Sequence, residues 1–131
     1  MIEPLSIQVR FSDIDAMGHV NNAVYLSYFE LARVYYFEKI MNESWDWKKN
    51  GIILVKNEIE YLKPLYLQSK PIVSMTLNEI GNKSFKLNYH IKDNSDLVCQ
   101  GTSTLVYFDF SRNRSIILDE KIKSVLKKLA I

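Results

Sequence analysis

The 131-residue chain is 47% hydrophobic and 24% charged, with a net charge of +2. That balance excludes intrinsic disorder, which needs low hydrophobicity and high net charge. It also lacks the cationic excess that marks a nucleic-acid partner. The length fits a single domain over residues 1–131, large enough to bury about two-thirds of the surface its unfolded chain exposes.

One cysteine, Cys99, excludes an intramolecular disulfide, and with two histidines no structural zinc site is expected. No apolar run approaches the roughly 20 residues that span a bilayer. The opening Met1-Ile2-Glu3-Pro4 lacks the basic-then-apolar pattern of a secretory signal. The expectation is a soluble, cytoplasmic protein with no membrane partner. Cations gather at Lys48-Lys49, at Arg112-x-Arg114 and at Lys121, Lys123, Lys127 and Lys128. These are solvated surface or a rim that attracts an anionic group, and position in the fold decides between the two.

In chain order, Leu5 to Phe11 alternates apolar and polar residues and predicts a strand. Ser12 to Asn22 is a loop rich in Asp, Gly and Asn. A helix follows over about Asn22 to Met41, with Asn21 or Asn22 as its cap. Its apolar and aromatic residues, from Val24 and Tyr25 to Phe37 and Ile40, cover far more than one stripe. The helix is therefore expected to be buried on most sides. After a turn over Ser44 to Gly51 come strands over Ile52–Leu62, Pro71–Ile80, Ser84–Lys92 and Leu97–Phe110, then an amphipathic helix over Asp119–Leu129. Hairpin-length connections imply antiparallel neighbours. The expected architecture is α+β, a long apolar helix wrapped by a five-stranded antiparallel sheet. A sheet edge and a helix flank left uncovered predict a homodimer.

The informative segment runs from Phe11 to Tyr25. Two carboxylates, a glycine, a histidine and two asparagines crowd the loop that leads into the buried helix. A helix N-terminus offers unpaired amides and about half a positive charge, which suits a carbonyl oxygen that turns negative during reaction. A glycine lets a ligand or another backbone approach closely, and a carboxylate nearby can attack the carbonyl or activate a water. These residue types point to acyl transfer to water, although Asp and Asn are also ordinary turn and cap residues.

The pattern Asp-x-Asp-x-x-Gly-His-Val-Asn-Asn-x-x-Tyr over Asp13 to Tyr25 resembles the signature of hot-dog-fold acyl-CoA thioesterases, in the branch named for 4-hydroxybenzoyl-CoA thioesterase. The resemblance continues through Tyr28-Phe29-Glu30-x-Ala32-Arg33, through Ile59-Glu60-Tyr61-Leu62-Lys63-Pro64-Leu65 and through Ile80-Gly81-Asn82-Lys83-Ser84-Phe85. It implies the hot-dog fold and an acyl-CoA thioesterase. In that family the second Asp of the pair is catalytic, here Asp15, as nucleophile or general base. Backbone amides around Gly18, His19, Val20, Asn21 and Asn22 would polarise the carbonyl, with Val24 and Tyr25 lining the pocket. The resemblance further implies a site at a dimer interface, in a homodimer or homotetramer. The CoA arm would cross surface residues of the partner, with Lys63, Lys83 and Ser84 as candidates. No metal or redox cofactor is expected, since CoA is part of the substrate.

The Gly-His-Val-Asn-Asn form resembles members that act on fatty acyl thioesters more than the founding member, which has an apolar residue at the position of His19 and lacks the Asn pair. Asp13 reads as structural, His19 as either a titrating group or a loop anchor, and Glu30 as a lesser catalytic candidate. Two other readings stand beside the first: hydrolysis of acyl groups on an acyl carrier protein, and a non-catalytic dimer that binds acyl thioesters.

Overall fold

In the computed structural model, which describes residues 2–41 and 46–131, one antiparallel sheet curls around one long helix. The strands are β1 (Leu5–Ser6), β2 (Asn50–Tyr61), β3 (Ile72–Ile80), β4 (Ser84–Asp93), β5 (Asp96–Asp109) and β6 (Arg114–Ser115); the helices are α1 (Val24–Ile40) and α2 (Glu120–Leu126). The sheet order is β1-β3-β4-β5-β2, with β6 paired to the end of β5. This is the α+β hot-dog arrangement expected from the sequence.

The pattern in β4 explains the layering. Phe85, Leu87, Tyr89 and Ile91 are buried under α1, while Lys86, Asn88 and His90 face outward, as period-two alternation requires. The turn between β4 and β5 has Asn94 and Ser95 at φ 50° and 71°, the two positive values of a tight hairpin whose twist matches its strands. Asp119 caps α2 by accepting the Ile122 N–H at 2.9 Å, and Ile122, Leu126 and Leu129 bury its stripe.

Several expectations are corrected. The first strand pairs only over Leu5–Ser6, because the next partner residue on the β3 side is Pro71. Ile7 donates to the Pro71 carbonyl at 2.9 Å, but proline has no N–H to return. Phe11 ends up 83% exposed, in a 3-10 turn over Phe11–Asp13. The connection over residues 62–71 is no hairpin; it crosses the sheet, so β2 pairs with β5 at the opposite edge. A sixth short strand, β6, adds to the five expected. The turn placed at Ser44 to Gly51 falls partly on residues outside those described; Gly51 belongs to β2.

The helix is buried on one side rather than most. Tyr25, Tyr28, Phe29, Ala32, Tyr36, Phe37 and Ile40 face the core, whereas Leu31 and Val34 are more than half exposed. The expected Asn caps are also corrected: the N-cap position is Ala23. Asn21 instead closes the preceding turn, its Oδ1 accepting the Ala23 N–H at 2.9 Å.

Phe29 stacks on Tyr89 with ring centroids 4.2 Å apart. It lies so close to β5 that a Cβ on Gly101 would meet a Phe29 ring carbon at 2.7 Å. A glycine is required there to let helix and sheet approach.

Candidate functional site

The two aspartates of the Asp-x-Asp pair face different surroundings. Asp13 is 1% exposed. Its Oδ2 accepts the Arg10 backbone N–H at 2.9 Å and the Tyr28 hydroxyl at 2.8 Å, and its Oδ1 accepts Arg10 Nη2 at 3.0 Å. Burial alone would raise this carboxyl's pKa, but those donors outweigh it and hold the group below its ordinary value. The same bond and burial push the Tyr28 hydroxyl up. Asp13 is therefore a structural anchor, and Tyr28 fastens the loop to α1.

Asp15 lies half-buried in the tight loop that follows. The loop is closed by a bridge between Ile14 and Val20. The Asp15 carbonyl accepts the Gly18 N–H at 3.0 Å, its N–H reaches the His19 carbonyl at 3.1 Å, and its Oδ1 accepts the Met17 N–H at 2.9 Å. Gly18 takes φ +87°, a left-handed turn that only glycine adopts cheaply. The second carboxylate oxygen, Oδ2, has no donor among the described residues.

The amides of this segment sort themselves clearly. The Gly18 N–H is taken by Asp15, that of Val20 by the Leu65 carbonyl at 2.8 Å, and that of Asn21 by the Asp13 carbonyl at 2.9 Å. Among the described residues, the N–H groups of His19 and Asn22 have no acceptor. Of the stretch from Gly18 to Asn22 expected to polarise a carbonyl, only these two amides remain free.

His19, Val20, Asn22 and Tyr25 line a cavity of about 220 Å³ together with Tyr61, Leu62, Lys63 and Pro64. Tyr61 donates its hydroxyl to the Asn22 carbonyl at 2.8 Å and meets Tyr25 edge to face at 5.1 Å. Burial pushes the Tyr25 hydroxyl up to about 12, so it stays protonated. Tyr61, a wall of this cavity, was not among the residues expected there; its place opposite an Asn two elements away has no local sequence signal. Asp15, Gly18 and Asn21 lie outside the cavity lining, on the adjoining loop.

Lys63 borders the cavity and pairs with Asp96 at 3.4 Å. Lys83 and Ser84 are not brought to it. Ile91, Cys99 and Tyr61 lie in register, and Ser84 sits at the other end of β4, about 24 Å away along the strand. There the other cations collect: Lys49 accepts the Phe110 N–H and Lys83 the Tyr107 N–H through their carbonyls, each at 2.9 Å. Arg112 pairs with Asp109 across the same hairpin. The chain thus has a carboxylate-and-amide end and a cationic end. Glu30 is exposed on the open side of α1. Cys99 is fully buried and its thiol is pushed up to about 12 by burial, which makes it a packing residue. Among the described residues, no group of three or more His, Cys, Asp or Glu could hold a metal ion, and no helix is long and apolar enough to cross a membrane.

Comparison with known proteins bears on the fold and the family. The family model of the thioesterase-like superfamily matches residues 9–126. The long-chain acyl-CoA thioesterase FadM of Escherichia coli is 26% identical over 94% of this chain and 96% of its own. The uncharacterized protein YsmA of Bacillus subtilis is 29% identical over 63% of this chain and 56% of its own. A Thermus thermophilus thioesterase solved with coenzyme A and zinc superposes with a TM-score of 0.83 at 30% identity, covering 97% of this chain and 93% of that one. The protein belongs to the thioesterase-like superfamily, with the hot-dog fold and the thioester-hydrolase class that its Asp-x-Asp loop led us to expect.

Proposed function

We propose that the protein hydrolyses an acyl-CoA to a free acid and CoA, with Asp15 as the reacting carboxylate and the His19 and Asn22 amides as the oxyanion donors. One observation carries this reading: the loop that presents Asp15 leaves those two amides without an acceptor among the described residues, beside a cavity at the N-terminus of α1. A water oxygen attacks the thioester carbon while Asp15 takes its proton. The carbonyl oxygen becomes negative within reach of the two N–H groups. The C–S bond then breaks and the thiolate leaves and is protonated. Attack by Asp15 itself, through a mixed anhydride that water opens, uses the same atoms. Neither route calls on a metal or redox cofactor.

The cavity of about 220 Å³ is below the roughly 300–1,000 Å³ of ligand pockets, so a second copy completes the site. The free edge of β2 and the exposed Leu31 and Val34 support a homodimer or a dimer of dimers. Antiparallel pairing of two β2 edges would set the partner's cationic end, with its Lys83 and Ser84, beside this chain's Asp15 loop. That arrangement suits the phosphates of CoA. The name of the FadM relative supports CoA as carrier and a fatty acyl group; an acyl carrier protein is the second reading. A cytoplasmic location fits such a substrate.

The test is thiol release from acyl-CoAs of graded length, by wild type and by Asp15→Asn. We expect turnover by the wild type and at least a hundredfold loss in the variant, which stays folded. Equal activity in both would overturn the role of Asp15. Binding of acyl-CoA without turnover by either would favour the non-catalytic dimer.

A further inference from the structure

Tyr61, the last residue of β2, reaches out of the sheet to the loop that holds the amides without acceptors. Its hydroxyl donates to the Asn22 carbonyl at 2.8 Å, and both residues line the same cavity. The strand end that carries it is fixed. Tyr61 lies opposite Cys99 on β5, and the next two N–H groups, of Leu62 and Lys63, both reach the Val98 carbonyl, at 2.9 and 3.1 Å. The ring meets Tyr25 edge to face at 5.1 Å, a favourable aromatic arrangement that holds it against α1. Burial raises the pKa of the hydroxyl, so it keeps the proton it donates.

The bond matters because of the peptide planes it fixes. A trans peptide is planar, so its N–H and C=O point in opposite directions. The plane between Asn21 and Asn22 is held by its carbonyl, which accepts the Val24 N–H at 2.9 Å; the Asn22 N–H therefore points away from that bond. The plane between Asn22 and Ala23 is held on both sides. Its N–H goes to Asn21 Oδ1 at 2.9 Å, and its carbonyl accepts Tyr61. The two bonds made by Asn21 lie within one turn of chain and orient Asn22 only against the start of α1. Of these three bonds, that of Tyr61 is the one that comes from the sheet.

We propose that Tyr61 is a positioning residue for hydrolysis: its hydroxyl anchors the Asn22 carbonyl to the end of β2 and so aims the Asn22 N–H at the thioester oxygen. This rests on the reading that the Asn22 amide is an oxyanion donor. A slightly misplaced donor still meets the ground-state carbonyl but stabilises the developing charge less well. The hydroxyl therefore acts on kcat, whereas the ring, as a wall of the cavity, acts on KM.

The experiment measures kcat and KM for butyryl-, octanoyl- and palmitoyl-CoA in wild type, Tyr61→Phe, Tyr61→Leu and Asp15→Asn. It is paired with the infrared C=O stretch of a bound octanoyl-CoA analogue, a carbon-13-labelled ketone with a methylene in place of the sulfur. Thermal melts and gel filtration give the folded, assembled fraction, and rates are expressed per folded protein. We expect Tyr61→Phe to lower kcat about tenfold, less than the roughly hundredfold or more that loss of an oxyanion donor costs, and to change KM by less than about twofold. The bound C=O stretch, lowered in wild type by its hydrogen bonds, should move back toward its value in water in Tyr61→Phe. Tyr61→Leu should lose the same kcat and raise KM as well. A role as cavity wall or fold support alone would leave kcat and the stretch of Tyr61→Phe at wild-type values, and that result overturns the proposal. If it comes with an inactive Asp15→Asn, the reading of Asp15 stands without Tyr61. If Asp15→Asn keeps full activity while Tyr61→Phe is impaired in kcat and stretch, Tyr61 stands and the role of Asp15 falls. A wild type that binds the ketone but turns over no acyl-CoA still decides the matter: a stretch that depends on the Tyr61 hydroxyl upholds its aim on the carbonyl, and one that does not overturns it.

Discussion

Replacing Asp13 and replacing Asp15 should have opposite consequences, although the two stand two residues apart. Asp13→Ala removes the acceptor of the Tyr28 hydroxyl and of the Arg10 backbone N–H. Tyr28 is 3% exposed, so its hydroxyl is left dry and unpaired, at a cost of about 1–3 kcal/mol. The Arg10 side chain is 72% exposed and regains water, so its loss adds at most about 1 kcal/mol. The expected destabilisation is about 1–4 kcal/mol, or a fall in Tm of about 4–14 °C at this chain length. Urea unfolding of wild type, Asp13→Ala, Tyr28→Phe and the double variant measures it, with m unchanged. The double variant should be less damaged than the sum of the singles by about 1 kcal/mol or more, because Tyr28→Phe removes the hydroxyl that Asp13→Ala strands. Asp15→Asn should leave the melting point within about 2 °C, since its side chain accepts only the Met17 N–H on an exposed loop. A cost below about 0.5 kcal/mol for Asp13→Ala, or strict additivity with Tyr28→Phe, would refute the assignment of Asp13 as the anchor.

The same carboxyl sets an acid limit. Its pKa is lowered in the fold, so the stability it contributes is present above its ordinary value and is lost as pH falls through the folded one. The stability gap between wild type and Asp13→Asn should therefore be full at pH 7 and shrink below about pH 4, as read from urea midpoints. Gly101→Ala should cost about 1–3 kcal/mol by pushing Phe29 off β5, a Tm loss of about 4–11 °C. Gly18→Ala meets nothing within 4 Å yet sits at φ +87°; it should cost about 1–2 kcal/mol in strain and slow thiol release by moving the His19 amide, while Gly18→Asn should be milder in both. Cys99, buried with its thiol pushed to about 12, should resist alkylation at pH 8 in the native protein and react once unfolded, which mass spectrometry will read.

What was legible in the sequence was local. The alternation of Phe85, Leu87, Tyr89 and Ile91 requires one buried face, and the Asp, Gly and Asn residues from Asp13 to Asn22 mark a loop. Both survive folding because they depend on neighbours in the chain. The length of the first strand was not legible in this way: Ile7 and Val9 are buried as their pattern demands, but the ladder stops where Pro71, sixty-odd residues later, has no N–H to offer. The partner of β2 was hidden for a similar reason. Its apolar run Ile52-Ile53-Leu54-Val55 marks a strand and says nothing of whether β3 or β5 lies beside it; the length of the 62–71 connection is the only local hint.

The division of labour in the site follows the same rule. Nothing within the Asp-x-Asp pair distinguishes its two carboxylates. The distinction comes from Tyr28, which reaches Asp13 from the second turn of α1 and turns that carboxylate into a fastening. Once Asp13 is fixed, its carbonyl takes the Asn21 N–H, the Leu65 carbonyl takes that of Val20, and Gly18 turns the loop back on Asp15. Among the described residues the His19 and Asn22 amides are left without an acceptor, while their neighbours are engaged. A free amide in a folded chain is thus a product of the complete hydrogen-bond pattern around it. The loop's composition could name the stretch from Gly18 to Asn22 as the proposed donors, but only the three-dimensional partners of residues 18, 20 and 21 select which two of the five amides have no acceptor among the described residues.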